Sequence, residues 1–281
     1  LVQLADWITK LEPRFTQVWS FHAWNLAYNV SVMLNEPSDR WRWVQEGVSM
    51  LRDRALIYNP GDAQLYWDLG WLYQHKIGQT LDQAHFYYKK ELVLLMEPLL
   101  KNGSPNYEAL ANAPHDINDL LKEPSMTTVL EQIRAEGVDP LHLENLLALE
   151  TNQTVSTLEQ SSPAFSRLIA SLQKERLHNT LRLDTGIMKE VDAEHGTLDW
   201  RLADTHSVYW AYQGQRHAAG FIKLQLDRMI FQSMSSAFRH GRLFKDVLGN
   251  MIPSPNLDLL PWVRKFYLHA LEERPDNESI Q

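Results

Sequence analysis

The chain has no cysteine, which removes disulfides, thiolate nucleophiles and thiolate metal sites together. The compartment stays open, because cytoplasmic and exported proteins alike can lack cysteine. No apolar run approaches the ~18 residues that a membrane-spanning helix requires, and the first residues do not read as a signal peptide. Twelve glycines are scattered along the sequence, so no glycine-rich loop offers itself to a phosphate. Nucleic-acid binding calls for a basic stripe, and none is present: 27 bases stand against 35 acids, a net charge of −8. Strand-like alternation never exceeds four or five residues, which predicts an all-α chain.

What is present is unevenly spread. Seven of the ten tryptophans lie in residues 1–98, and none lies between 72 and 199. Residues 91–160 carry twelve acids and three bases, whereas 201–281 carry ten bases and eight acids. The acidic stretch reads first as a solvated helix face, and second as a docking surface for a basic partner. Turn formers cluster at Lys101-Asn102-Gly103-Ser104-Pro105-Asn106, where the composition changes. Helices are expected over Thr127–Ala135, after Asp139-Pro140 over Leu141–Leu149, after Ser161-Ser162-Pro163, over Asp204–Tyr212 and Phe221–Phe238, and over Pro261–Glu273.

One pattern recurs. Tyr66-x-x-Leu69-Gly70-x-x-Tyr73 is followed by Ala84-x-x-x-Tyr88 and Pro98, and Trp19-x-x-His22-Ala23-x-x-Leu26 repeats its first half. Pro13 and Pro60 each stand six residues before the leading aromatic. Residues three and four apart share a helical face, so each phrase predicts one packing stripe with a small residue at a close approach. The prolines lie 47 and then 38 residues apart, which implies an insertion in the first copy, most simply in the turn Asn35–Asp39.

This order of large, small and aromatic residues resembles the tetratricopeptide repeat, whose period is ~34 residues. The resemblance is specific over 62–98, good over 13–60 and weak elsewhere. It implies an all-α, tetratricopeptide-like solenoid of antiparallel helix pairs with a helical insertion. The expected divisions are repeats in 1–100, an acidic helical insertion in 101–198 and degenerate repeat helices in 199–281. Leu1–Leu11 reads as the second helix of a repeat whose first helix is absent, so the first repeat is expected to be incomplete. Its apolar side (Leu4, Trp7, Ile8, Leu11) should pack on the first complete repeat, and a targeting or anchoring segment upstream stays open.

The family resemblance further implies a concave face lined by the first helix of each repeat. Aligned on Tyr66, that face reads Gln64, Trp67, Asp68, Trp71, Gln74 and His75, with Gln17, Ser20, Phe21, Trp24 and Tyr28 in the preceding copy. Large aromatics beside amides and an acid suit a protein or peptide partner, or a larger complex, because interface energy concentrates in buried Trp and Tyr anchors. The competing expectation is that these rings are core, packed on a neighbouring helix or on the insertion. The family's clamp for acidic C-terminal peptides needs groove lysines, which this face lacks, so that activity is not carried over.

Catalytic and metal chemistry find little footing. No His-Glu-x-x-His or calcium loop occurs, and Glu175-x-x-His178 has no second such pair. Glu144, Glu150 and Glu159 stand at no defined separation for acid–base work. The expectation is therefore a non-enzymatic binding or scaffold module without cofactor or metal. A different class remains as the alternative, a helical enzyme or small-ligand binder using residues 105–220, where His178, Asp184, Glu194, His195 and His206 would have to converge. A third possibility is a structural subunit of a membrane-anchored assembly.

Overall fold

The computed structural model describes residues 2–100, 102–114, 116–143, 146, 157–158, 161–247 and 251–273. Helix accounts for 73 % and strand for 4 %, so the chain is all-α in class. Two compact units divide it: Leu1–Leu95 with Glu190–Gln281, and Met96–Lys189.

The first unit opens with α1 (Val2–Leu11) and α2 (Thr16–Trp24), which runs on through a π-turn segment, Asn25–Val30, and a 3-10 turn, Ser31–Met33. After a three-residue connection, α3 (Pro37–Ser49) returns along α2, with proline in its first turn, where a missing N–H costs nothing. It continues as a second π segment, Met50–Ala55, into α4 (Leu56–Tyr58). Next come α5 (Ala63–Trp71), a third π segment (Leu72–Ile77), and α6 (His85–Met96). The expected insertion at Asn35–Asp39 is therefore corrected. The connection is short and Pro37 already begins a helix, so the extra length of the first copy lies in its π-containing helices.

The recurring aromatic-to-proline spacing has a direct cause. Trp19 Nε1 donates to the Pro13 carbonyl at 2.9 Å, and Tyr66 Oη donates to the Pro60 carbonyl at 3.0 Å. In each copy the ring's polar tip thus fastens the helix to the chain six residues back. Asn59 Nδ2 also donates to the Pro13 carbonyl at 2.8 Å, joining the two copies. Small residues then set the helix spacing. A methyl group on Gly47 of α3 would lie 2.9 Å from the Ala23 carbonyl oxygen of α2. Gly70 also sits at a crossing, but with different neighbours from those expected. It faces Met229 and Ser207, not the second helix of its own pair.

Those neighbours belong to the end of the same unit, α12 (Ala203–Gln215) and α13 (Phe221–His240) as numbered once the second unit is counted. That second unit holds α7 (Tyr107–Asn112), α8 (Ile117–Leu121), α9 (Pro124–Ala135) and α10 (Pro163–Glu175). Leu110, Leu120, Met126, Ile133, Phe165 and Leu168 are buried in it. Ser162 caps α10 by accepting from the Phe165 N–H at 3.3 Å, as its Ser-Ser-Pro start predicts. The helix expected over 141–149 and the acids Glu144, Glu150 and Glu159 lie largely or wholly outside the described residues.

α11 (Thr185–His195) crosses the boundary back into the first unit. There α12 opens with the same six-residue fastening in a third guise. Thr205 Oγ1 donates to the Asp199 carbonyl at 2.7 Å, and His206 Nε2 lies 3.0 Å from the Trp200 carbonyl. A carbonyl only accepts, so Nε2 carries the proton. Gly214 is inside α12, where an added methyl would meet Tyr66 Cβ at 2.8 Å. α13 leads into a two-stranded antiparallel hairpin, β1 (Arg242–Lys245) and β2 (Met251–Ser254), which sequence reading missed. α14 (Leu260–Glu273) follows and packs on α13 through Phe266, stacked 4.1 Å from Phe231. At the other end α1 packs on α2, but Trp7 and Leu11 are 55 % and 79 % exposed. The expected packing of those two residues is not made.

The two glycines should respond differently to a methyl group. Gly47→Ala pushes against a backbone carbonyl and is expected to lower stability by about 1–3 kcal/mol. Gly70→Ala meets mainly the mobile Met229 thioether, so a change of about 1 kcal/mol or less is expected. Denaturant midpoints of the two variants check this, and the reverse order contradicts it.

Candidate functional site

α5 shows two opposite sides. Leu65, Leu69 and Tyr73 are buried, with Tyr73 stacked on His206 at 4.8 Å and Tyr66 near Trp210 and His217. The other side carries a ladder of rings: Trp67 stacks on Trp71 at 5.3 Å, and Trp71 stacks on His75 at 4.6 Å. On neighbouring α2, Trp24 stacks on Tyr28 at 5.6 Å. Phe21 and Trp24 remain 54 % and 46 % exposed.

The π segments explain how the ladder stays in line. Residues four apart on an α-helix drift about 40° round its axis. The wider π turn rotates each residue by less, so the step from Trp71 to His75 reverses the drift from Trp67 to Trp71. The same widening carries Gln74 the other way. Three residues beyond Trp71 it has turned less than an α-helical residue would, and so lies further from the ladder. Gln74 is accordingly buried, with Nε2 donating to the Met229 carbonyl at 3.1 Å and to Ser233 Oγ at 2.8 Å. Its expected place on the binding face is corrected.

Polar contacts tie the two helices together beneath the rings. Ser20 Oγ and Gln64 Nε2 donate to the two oxygens of Asp68, the latter at 3.0 Å. Burial pushes the Asp68 carboxyl above the ordinary carboxylate range, with both hydrogen bonds opposing. Tyr28 Oη lies 3.0 Å from His75 Nδ1. Burial also raises the Tyr28 phenol, though its hydrogen bond to Trp71 opposes this, so it stays protonated and donates to His75. His75 is in turn held below its usual value by partial burial and by the Lys76 charge, and is neutral at pH 7. Lys76 itself is almost wholly buried. Its Nζ stands 5.1 Å from the centre of the Tyr28 ring and pairs with Asp82 at 2.5 Å. Burial lowers the Lys76 ammonium even with that partner. In the sequence this support is marked only by Asp82, six residues on, since lysines are seldom buried.

Of the eleven expected face residues, eight (Ser20, Trp24, Tyr28, Gln64, Trp67, Asp68, Trp71 and His75) are therefore linked into one surface by ring stacking and hydrogen bonds, while Gln17 and Phe21 are exposed and Gln74 is buried. An open cleft of about 650 Å³ adjoins it at Gln64, lined by Asn59, Gly61, Asp62, Ala63 and Ile222 as well. The surface offers ring faces and amides. Its one carboxylate is already held by two donors, so the arrangement suits recognition of apolar and amide-bearing groups.

The residues of the alternative reading have separate settings. In the first unit, His206 is fixed between Tyr73 and the Trp200 carbonyl, while His195 lies edge-on to Tyr212 and Trp262. In the second, His178 and Asp184 are exposed. Among the described residues, no group of three or more His, Asp or Glu side chains is placed to hold a metal ion. No helix among them is long and apolar enough to cross a membrane. No protein-family model, curated protein or solved structure matches the chain.

α12 carries two titrating groups that oppose one another. Burial raises Asp204 to about 6 against the hydrogen bond from Ser236 and the Lys89 and Arg239 charges, and burial lowers His206 to about 4. The raised acid adds stability that is full below the ordinary 3.8 and lost as pH rises through 6. The lowered imidazole adds stability that is full above the ordinary 6.5 and lost as pH falls through 4. The two slopes offset each other between pH 4 and 6. Asp204→Asn should uncover the histidine slope, so that the variant becomes more stable as pH rises across this window. Denaturant midpoints measured against pH check it; a variant whose stability falls with pH contradicts it.

Proposed function

We propose that this chain is a non-enzymatic, tetratricopeptide-like binding module that holds a protein or peptide partner across the aromatic surface of α2 and α5. The observation that carries the reading is the convergence of Trp24, Tyr28, Trp67, Trp71 and His75 into adjoining ladders, with Phe21 and Trp24 about half exposed. Phe21 and Trp24 face water beside the partly buried Tyr28, Trp67, Trp71 and His75, and exposed apolar surface grouped in this way often marks a binding site. The repeat component rests on the fastening that recurs at Trp19, Tyr66 and His206 and on the small-residue crossings at Gly47, Gly70 and Gly214. Helix pairs that stack on such crossings give solenoids their extended binding faces.

Rigid rings are effective anchors because they bring large area at little cost in side-chain freedom. A partner would fill the furrow beside Trp24 and Trp71 with apolar side chains and direct its backbone amides at Gln64. The underlying hydrogen bonds from Ser20 and Tyr28 hold the two helices in register before binding, which lowers the ordering cost of association.

The test is a pull-down from native extract followed by titration of the recovered partner. Trp24→Ala and Trp71→Ala should each weaken binding by about 2 kcal/mol or more, roughly thirtyfold, with a modest loss of stability. Tyr66→Ala and Tyr73→Ala, which remove core rings, should instead cost ~3–5 kcal/mol of stability. If the tryptophan variants unfold as readily as the tyrosine variants while binding per folded molecule is unchanged, the surface is core and the reading fails.

A further inference from the structure

His195, the last residue of α11, is only 6 % exposed, and neither of its ring nitrogens has a hydrogen-bond partner. His206 gives the contrast, since its Nε2 is satisfied by the Trp200 carbonyl. Around His195 stand rings instead. It lies perpendicular to Tyr212 of α12 at 6.0 Å and to Trp262 of α14 at 5.8 Å. Gly196 follows with φ at +96°, and a methyl group there would meet Leu259 Cδ2 at 3.0 Å. The turn leading into α14 is thus seated on the same corner. A buried polar group with no partner is uncommon and asks for a reason. Leucine or phenylalanine would fill this pocket without leaving two nitrogens unpaired. What histidine alone adds is a charge acquired just below neutral pH.

α14 meets the rest of the first unit along a single row of rings. Trp262 stacks on Phe266 at 5.6 Å, Phe266 stacks on Phe231 of α13 at 4.1 Å, and Tyr267 meets Phe231 edge-on at 5.9 Å. Its outer side, with Leu260, Arg264, Lys265 and Leu268, is exposed. The first ring of the row leans on His195.

The charges on the elements packed round His195 are engaged elsewhere or lie in solvent. On α11, Glu190 pairs with Arg216 of α12, Asp192 accepts from Trp200 Nε1 at 3.1 Å, and Glu194 is exposed. On α12, Arg216 sits 5.2 Å over the Tyr212 ring, whose hydroxyl lies 3.5 Å from Glu190. Ahead of α14, Asp258 pairs with Arg242. On α14 itself, Arg264 and Lys265 are bases, and His269, Glu272 and Glu273 follow Trp262 by about 10 Å or more along the axis. Burial holds the His195 imidazole below its ordinary 6.5, against the Glu194 charge. Such a group adds stability that is full above 6.5 and lost as pH falls through its lowered value.

We propose that His195 is an acid-sensitive latch, whose protonation frees α14 from the first unit and uncovers the Trp262, Phe266 and Phe231 rings. This inference stands independently of the partner proposed for α2 and α5.

Amide hydrogen exchange of the intact chain tests it between about pH 7 and pH 5, read by mass spectrometry and corrected for the intrinsic pH dependence of exchange. Peptides from 260–273 should open more as pH falls below 6.5, by at most about tenfold per pH unit, while peptides from α13 stay protected. His195→Phe and His195→Leu each place an apolar side chain in this ring-lined pocket and should hold α14 closed across the range. A chemical-shift titration of the unaltered chain should find the His195 imidazole below the ordinary 6.5. Four results overturn the inference: exchange in 260–273 that does not change with pH, the same pH dependence in both variants, opening of α13 together with α14, or a His195 imidazole that titrates at or above its ordinary value.

Discussion

The packing of α5 against α12 and α13 is the constraint on which the first unit depends. At Gly70 and Gly214 there is no room for a side chain without displacing Met229, Leu226 or Tyr66. With its backbone drawn this close, one side of α5 is committed to burying Leu65, Leu69 and Tyr73, and the burial of such side chains contributes roughly 1.5–3 kcal/mol each. Gln74 completes that side by satisfying the Met229 carbonyl from within the interface. Whatever is not consumed there must face α2 or solvent. Trp67, Asp68, Trp71 and His75 are what remains.

The π segments convert this commitment into a shaped surface. A strictly α-helical continuation would spiral the rings off α5 and leave Gln74 close to them. Widening the helix after Trp71 returns His75 to the line and brings it within hydrogen-bond reach of Tyr28, itself on the π segment that follows α2. Lys76 sits below as a buried cation against the Tyr28 and Tyr88 rings and the Asp82 carboxylate. Arg40 also reaches Asp82 at 3.4 Å and donates to the Leu34 carbonyl at 2.6 Å. The connections after the first helix of each pair are thereby joined by one ion-pair cluster, which fixes the two helices that carry the rings.

Much of this was legible, for identifiable reasons. Trp19 and Tyr66 announced themselves because each stands six residues from a proline whose carbonyl it binds. Ala23 and Gly70 were marked by being small on otherwise bulky faces. Side-chain direction was legible over Trp67 and Trp71, which keep the α period; in the π segment after them His75 still fell on the ladder, while Gln74 was misplaced. The partner of Gly70 was hidden because it comes from residues 207–229, far along the chain, and no local pattern encodes that contact. The hairpin was missed because Arg242–Lys245 and Met251–Ser254 are four residues each and the second contains a proline.

The central claim is that the rings on α2 and α5 form an outer surface, held from beneath, and are not part of the core. Hydroxyl-radical footprinting of the isolated chain, with modification of each aromatic read by mass spectrometry, addresses it directly. The account predicts fast modification of Phe21 and Trp24, with Trp19, Trp200 and Trp210 protected, since these three are at most 3 % exposed. Protection of Phe21 and Trp24 to the same degree as Trp200 would contradict it, because the surface proposed for a partner would then be covered by the chain itself.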